Sequence, residues 1–275
     1  MTDGTATLRS RDGVAAFRAV LAVVGGVVFV ACLVPPLATA ARRFEFAEGL
    51  QFSLLAVAVP ALIACGAPWR HLRLAAPAPA EVGEDGALIA PAGLGPVDRL
   101  ALGRRRHPEP LRAVAFAGTF LVVAVLWRIP PTVDALAHHP VLVVVEAVTL
   151  VVAGLGLWLE LVESPPLTPR LPRPHRVAMA AVVMWVIWVV AYLVGLSHGA
   201  WYHGYDHTAA HGISISADQQ LTTGIIWALT GIAFVPVVFW NLVRWLQAEE
   251  DPDDELYRLI RQERIRGRPA DHGSA

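Results

Sequence analysis

Apolar residues fall in six runs of about 20, each free of charge at its centre, and a helix of that length crosses a bilayer core of about 30 Å. The runs cover about 14–34, 47–67, 111–129, 140–161, 176–197 and 220–246. Pro35-Pro36, Pro130-Pro131, Pro140 and Pro165-Pro166 stand at their edges, where a missing N–H costs little and further helix is blocked. The pattern predicts an all-α, polytopic membrane helix bundle of about six transmembrane helices. No internal repeat at a fixed period interrupts it.

Orientation follows from the arginines, because positively charged loops are retained in the cytoplasm. With the N-terminus inside, 19 of the 22 arginines share one side, and only Arg42, Arg43 and Arg128 lie opposite. Both termini are therefore predicted to be cytoplasmic. The chain divides into a cytoplasmic N-terminus (1–13), a transmembrane domain (14–246) and a charged cytoplasmic tail (247–275). The transmembrane domain includes a Pro-, Ala- and Gly-rich cytoplasmic connector (68–110), assigned no fold, and an outer His-rich loop (198–219). The tail pairs an acidic cluster with an Arg-rich, helix-capable stretch, and reads as a solvated helix or as an adaptor for a partner. An alternative for the first run is a cleaved signal peptide, since Arg9, Arg11 and Arg18 flank it and Ala38-Thr39-Ala40 resembles a cleavage site.

Composition narrows the function classes. At 55% apolar, 16% charged and a mean hydropathy of +0.52, the chain is too apolar for a water-soluble enzyme of this size. A formal charge of −1 gives no general attraction to nucleic acid. Every basic residue is arginine, so mechanisms that need an amine are absent. Cys32 and Cys65 lie near opposite ends of their spans, too far apart to pair within the chain, and read as packing residues.

Six of the ten histidines, His138, His139, His198, His203, His207 and His211, fall in outer loops, and none lies well inside a span. A haem held between facing helices therefore lacks ligands. His203, His207 and His211 recur every four residues, so a helix would present all three imidazoles on one face, as transition-metal sites require; Asp206 and His198 are close by. Against this, Gly204 and Gly212 weaken helix, and histidines also gather in outer loops for solubility. Met179 and Met184, both mid-membrane, read as packing residues rather than copper(I) ligands. Glu48, Gln51, Glu146 and Asp218 all sit toward the outer leaflet, where ionisable groups are costly unless paired or wet. Either they share a polar pocket under the histidine loop, or each separately snorkels or caps a helix.

Three segments carry a resemblance. Residues 217–246 contain Asp218-Gln219-Gln220, Gly224 and Trp227; residues 139–161 contain His139, Pro140 and Glu146; residues 46–68 contain Gln51, Pro60 and Gly66-Ala67-Pro68. In this order they resemble the CtaG-type cytochrome c oxidase assembly proteins. Where that family usually has two histidines around the glutamine, this chain has Glu48 and Phe52, and where it has histidine after the span-four glutamate, this chain has Ala147. The resemblance implies a multi-pass bacterial plasma-membrane protein that helps mature a haem-copper oxidase, with copper as the group delivered or inserted at the outer face. Partners would be cytochrome c oxidase subunits or other respiratory-chain membrane proteins within the lipid bilayer. The expected metal ligands are His198, His203, His207, His211 and His139, in the neutral imidazole form, so that binding weakens as pH falls through about 6.5. A metal or solute transporter, a membrane hydrolase and a structural subunit of a respiratory complex are the competing readings. A transporter needs a polar path across the bilayer, and a hydrolase would show a motif such as HExxH or GxSxG, which the sequence lacks.

Overall fold

The computed structural model describes residues 3–69, 72, 74–75, 81–82, 88–89, 95–106, 109–197, 199–205 and 212–249. Among them the regular elements are helices apart from one antiparallel pair of two-residue strands, β1 (Glu81–Val82) and β2 (Leu88–Ile89). The first span lies in α1 (Asp3–Leu33), followed by the single turn α2 (Leu37–Ala40). The second span is continuous from Glu45 to Gly66 as α3 (Glu45–Ser53), a π-turn over Leu54–Ala58, and α4 (Val59–Gly66). A short helix α5 (Pro96–Arg106) precedes α6 (Pro110–Leu126) and α7 (Pro130–His138). The last three spans are α8 (Pro140–Leu161), α9 (Arg173–Gly195) and α10 (Ile215–Glu249).

Five helices are long and apolar enough to cross a membrane, and six spans result when α6 and α7 count as one. That pair departs from the uninterrupted run expected over 111–129. The helix ends at Leu126, and the axis turns by 64° before α7 begins. Pro130 holds Ile129 in extended backbone (φ −76°, ψ 143°), then starts the new helix where its missing N–H has no intrahelical partner to lose. The bend places Arg128 at the corner, pointing inward rather than into a loop.

The apolar faces left outside suit a lipid surround. Phe17, Val23 and Val27 on α1, Trp185 and Tyr192 on α9, and Ile232, Phe239 and Trp240 on α10 are all exposed, a density that water would not tolerate. The interior is filled by Phe120, Leu150, Leu157, Trp158 and Phe234, with the last two rings 5.1 Å apart. Small residues set the closest approaches, as packing within lipid favours. A Cβ on Gly66 would lie 2.6 Å from the Ala22 nitrogen, so α4 and α1 meet almost backbone to backbone.

The π-turn has an identifiable cause. A proline ring clashes with the carbonyl four residues before it, here Ala56 in front of Pro60, and widening the preceding turn relieves the clash. Gly154 of α8 seats against this point: a Cβ there would meet Pro60 Cγ at 2.6 Å and the Ala56 oxygen at 2.9 Å.

At the end of the bundle away from Arg128, the described part of the 68–110 connector is not featureless. Asp98 caps the start of α5 through Gly95 N (3.1 Å), and Arg104, Arg105 and Arg106 oppose the dipole at its end. Arg104 and Arg170 both pair with Glu160, which is fully buried, and Arg170 N donates to the same carboxylate at 3.0 Å. This cluster fastens α5 and the α8–α9 turn to the bundle.

Gly154→Ala is expected to cost about 1–3 kcal/mol by overpacking against backbone, read as a lower unfolding midpoint of the detergent-purified chain. Gly118→Ala, with open space around the new Cβ, should show no loss.

Candidate functional site

The outer ends of α3, α8 and α10, the α6–α7 corner and the segment 199–205 converge on one buried polar cluster. Its centre is Arg128, 5% exposed. The guanidinium pairs with Glu48, lies 4.5 Å over the Phe52 ring and 5.7 Å over the Tyr202 ring, and is within electrostatic reach of Glu146. Glu48, one turn into α3, and Glu146, two turns into α8, reach the corner because both helices begin at this end and turn these positions inward.

Asp218 serves a different purpose at the same depth. Its two carboxylate oxygens accept from Glu45 N (2.9 Å) and Phe46 N (2.8 Å), the first free amides of α3. Phe44, the residue at the N-cap position of α3, supplies no side-chain cap. An acidic residue of α10 thus caps α3 across 173 positions of sequence, which satisfies orphan donors and places a negative charge at the positive end of the helix. Glu45 is itself buried beside it.

The outer loop is pinned to this cluster along its first half. Tyr202 Oη donates to the Arg128 carbonyl and Tyr205 Oη to the Ala41 carbonyl, both at 3.0 Å. Gly204 N donates to Asp134 Oδ1 (2.8 Å), and Trp201 N to Gln219 Oε1 (3.1 Å). Gln219 Nε2 in turn donates to the Val194 carbonyl at 2.6 Å, closing the end of α9. Burial pushes both phenols above their ordinary range, so they remain protonated donors. Gly204 sits where a Cβ would come within 3.2 Å of Asp134 Cα, so this approach needs a small residue.

The expected polar residues therefore separate. Glu48 and Glu146 meet around Arg128, and Asp218 joins them through α3, so it is both a member of the cluster and a helix cap, though of another helix. Gln51 is buried and donates to the Cys32 carbonyl of α1 at 2.6 Å; Gln219 holds the loop. Gln220 and Trp227 lie on the exposed side of α10, outside the cluster, where Trp227 stacks on Trp188 at 4.8 Å. His139 is exposed at the α7–α8 junction and His203 is exposed on the turn 203–205. His198, His207 and His211 lie outside the described residues. Among the described residues no three His, Cys, Asp or Glu side chains come together so as to hold a metal ion.

Arg128, Glu45, Asp134, Tyr202 and Tyr205 were not anticipated as site residues. For Arg128 a signal existed: it is one of only three outer arginines, at the end of an apolar run and at the depth of four polar side chains. Each tyrosine bonds a carbonyl far off in sequence, which no local pattern reveals.

A family model described as cytochrome c oxidase caa3 assembly factor (Caa3_CtaG) matches residues 2–248. No curated protein and no solved structure matches the chain.

Removing Arg128 leaves Glu48 buried without its partner, so Arg128→Gln should destabilise the chain by about 3–5 kcal/mol. The double variant Glu48→Gln/Arg128→Gln should lose less than the sum of the single losses, as a thermal-midpoint cycle would read. At the cap, Asp218→Asn should lose less than Asp218→Ala, since an amide oxygen still accepts one of the two α3 donors.

Proposed function

Because the chain belongs to the cytochrome c oxidase caa3 assembly factor family, we propose that it serves oxidase maturation at the outer membrane face, with copper as the cargo and loop 198–211 as the element that handles it. The observation that carries this reading is the clamp on the loop. Tyr202, Tyr205, Gly204 and Trp201 tie its first half to the bundle, while His203 between them stays exposed. A ligand set presented this way is held near its target geometry by the bundle below, which lowers the ordering cost of meeting a partner.

In this proposal, His198, His203, His207 and His211 hold the ion, and His139, exposed at the neighbouring junction, approaches from the α7–α8 side. Delivery is ligand exchange: imidazoles release copper to the ligands of the oxidase subunit, and no substrate is turned over. Transport is disfavoured by the interior. Glu146 and Glu160 stand on one helix about 21 Å apart by helical rise, with Leu150, Ala153 and Leu157 buried between them. Among the described residues of that middle layer, the unpartnered buried polar atoms are the Trp158 ring nitrogen and the Thr230 hydroxyl.

The test is a variant with His203, His207 and His211 all changed to alanine, made in the native cell. Oxidase copper content and activity should fall while the variant itself accumulates normally in the membrane. Normal oxidase copper would overturn the assignment of the loop. Tyr205→Phe, which loses the anchoring hydroxyl while keeping every histidine, should give a smaller loss of the same kind.

A further inference from the structure

At the end of the bundle away from Arg128, several guanidinium groups stand together with few carboxylates among them. Arg104 and Arg170 share Glu160, and Arg112 pairs with Glu109 at 2.6 Å. Arg105 and Arg106, exposed at the end of α5, and half-buried Arg173, which opens α9, have no acidic partner among the described residues. Arg173 also stands close enough to Arg176 for the two like charges to act on each other. Uncompensated cations gathered in this way attract an anion.

The end of α10 lies beside them. The helices α9 and α10 run antiparallel, with Trp188 stacked on Trp227 and Thr223 Oγ1 donating to the Ala191 carbonyl at 3.2 Å. Arg173 lies 18 residues from Ala191, and Asn241 lies 18 residues from Thr223. Both intervals rise by about 27 Å toward the same end, so the two residues stand at one level. Asn241 Nδ2 donates to the Leu161 carbonyl at 3.4 Å, and Arg104, next to Arg105 and Arg106, donates to the Leu159 carbonyl on the same turn of α8 at 3.3 Å. The arginine rim and the end of α10 are thus neighbours around one helix terminus. From there α10 continues to Glu249, about 12 Å past Asn241.

Residues 250–255, Glu-Asp-Pro-Asp-Asp-Glu, follow directly and carry five carboxylates in six positions. Pro252 lacks the N–H that a further turn of helix needs and disfavours helical backbone at Asp251, which favours a change of course here. Six residues of extended chain cover about 20 Å, more than the distance back to the level of Arg173. Single exposed ion pairs are weak, but so short a tether holds the carboxylates at high effective concentration over the arginines. Lipid phosphates have no such tether. We propose that the acidic run 250–255 folds back onto this rim and docks against Arg105, Arg106 and Arg173, closing the end of the bundle opposite the histidine loop.

The full chain with Cys32→Ala and Cys65→Ala is spin-labelled at Leu256→Cys, just past the run, and at His175→Cys, exposed beside Arg173. Distances are read by double electron–electron resonance in phosphatidylcholine nanodiscs. At about 0.1 M salt a single narrow, short distance is expected, giving way to longer ones at about 1 M as the screening length falls from about 10 to about 3 Å. The variant Arg105→Glu/Arg106→Glu/Arg173→Glu should lose the narrow distance, and changing Glu250, Asp251, Asp253, Asp254 and Glu255 to arginine in the same chain should restore it. Should the rim variant not fold, reversing those five residues alone should give the same loss without touching the bundle. A broad distribution at low salt in the parent, or a narrow one indifferent to both reversals, would overturn the proposal. So would a narrow distance lost when the five are reversed but kept when the rim is, which would assign the carboxylates to Arg258, Arg261 and Arg264 of the tail itself. Loss of the narrow distance when phosphatidylglycerol replaces part of the phosphatidylcholine would also overturn it and assign the rim to anionic headgroups.

Discussion

One guanidinium at the outer end of the bundle has to serve several carboxyl groups where water is scarce. Arg128 pairs directly with Glu48 and lies within electrostatic reach of Glu146, while Glu45 stands close by. Charges at this depth are tolerated only with partners in place, and that requirement organises the surrounding elements. The α6–α7 bend exists where Arg128 must turn inward. Phe52 and Tyr202 flank the guanidinium with ring faces, a favourable environment for a cation removed from water. Asp218 is exempt from this competition because the amides of α3 neutralise it separately. The first half of the outer loop is then fixed as a consequence, since Tyr202 bonds the backbone of Arg128 itself.

The other end of the bundle solves the opposite problem. There Glu160 is, among the described residues, the one buried carboxylate, and two arginines, Arg104 and Arg170, converge on it. The sign of the excess charge at each end follows the arginine distribution along the sequence: cations are plentiful at this end and scarce at the other. Between the ends the bundle relies on size-matched apolar packing and on glycine contacts such as Gly66 on Ala22 and Gly154 on Pro60. The protein is thus held by two polar fastenings about 21 Å apart along α8, with residues 201–205 attached to the one around Arg128.

The spans were legible because a 20-residue apolar run has few alternatives to a membrane helix: backbone groups in lipid must be satisfied within the segment. The bend in the third was not, because Pro130-Pro131 reads equally well as a span edge and as the start of a second short helix. The shared depth of Glu48, Glu146 and Asp218 could be read from their places along the spans, but which helix faces turned toward one another could not. The role of Asp218 lay further out of reach. Its position looks like an ordinary cap for α10, and only tertiary packing brings α3 close enough to take both oxygens. For the 68–110 connector, low apolar content concealed α5, which is held by a buried ion pair rather than by an apolar face.

The departures from the family pattern acquire a physical meaning in this arrangement. Glu48 and Phe52 occupy the positions around Gln51 where CtaG-type proteins usually carry histidines, and both touch the same guanidinium, one by charge and one by its ring. Ala147 is fully buried next to Glu146. A cation fixed in the chain by a covalent backbone now stands among these positions, and a second cation brought beside Arg128 would meet repulsion at close range in a low dielectric. Within this cluster the two are alternatives. The histidine-poor interior and the histidine-rich loop are then connected features: with Arg128 balancing the buried carboxylates, metal handling in the proposed function belongs above the cluster, on the loop whose first half the cluster anchors.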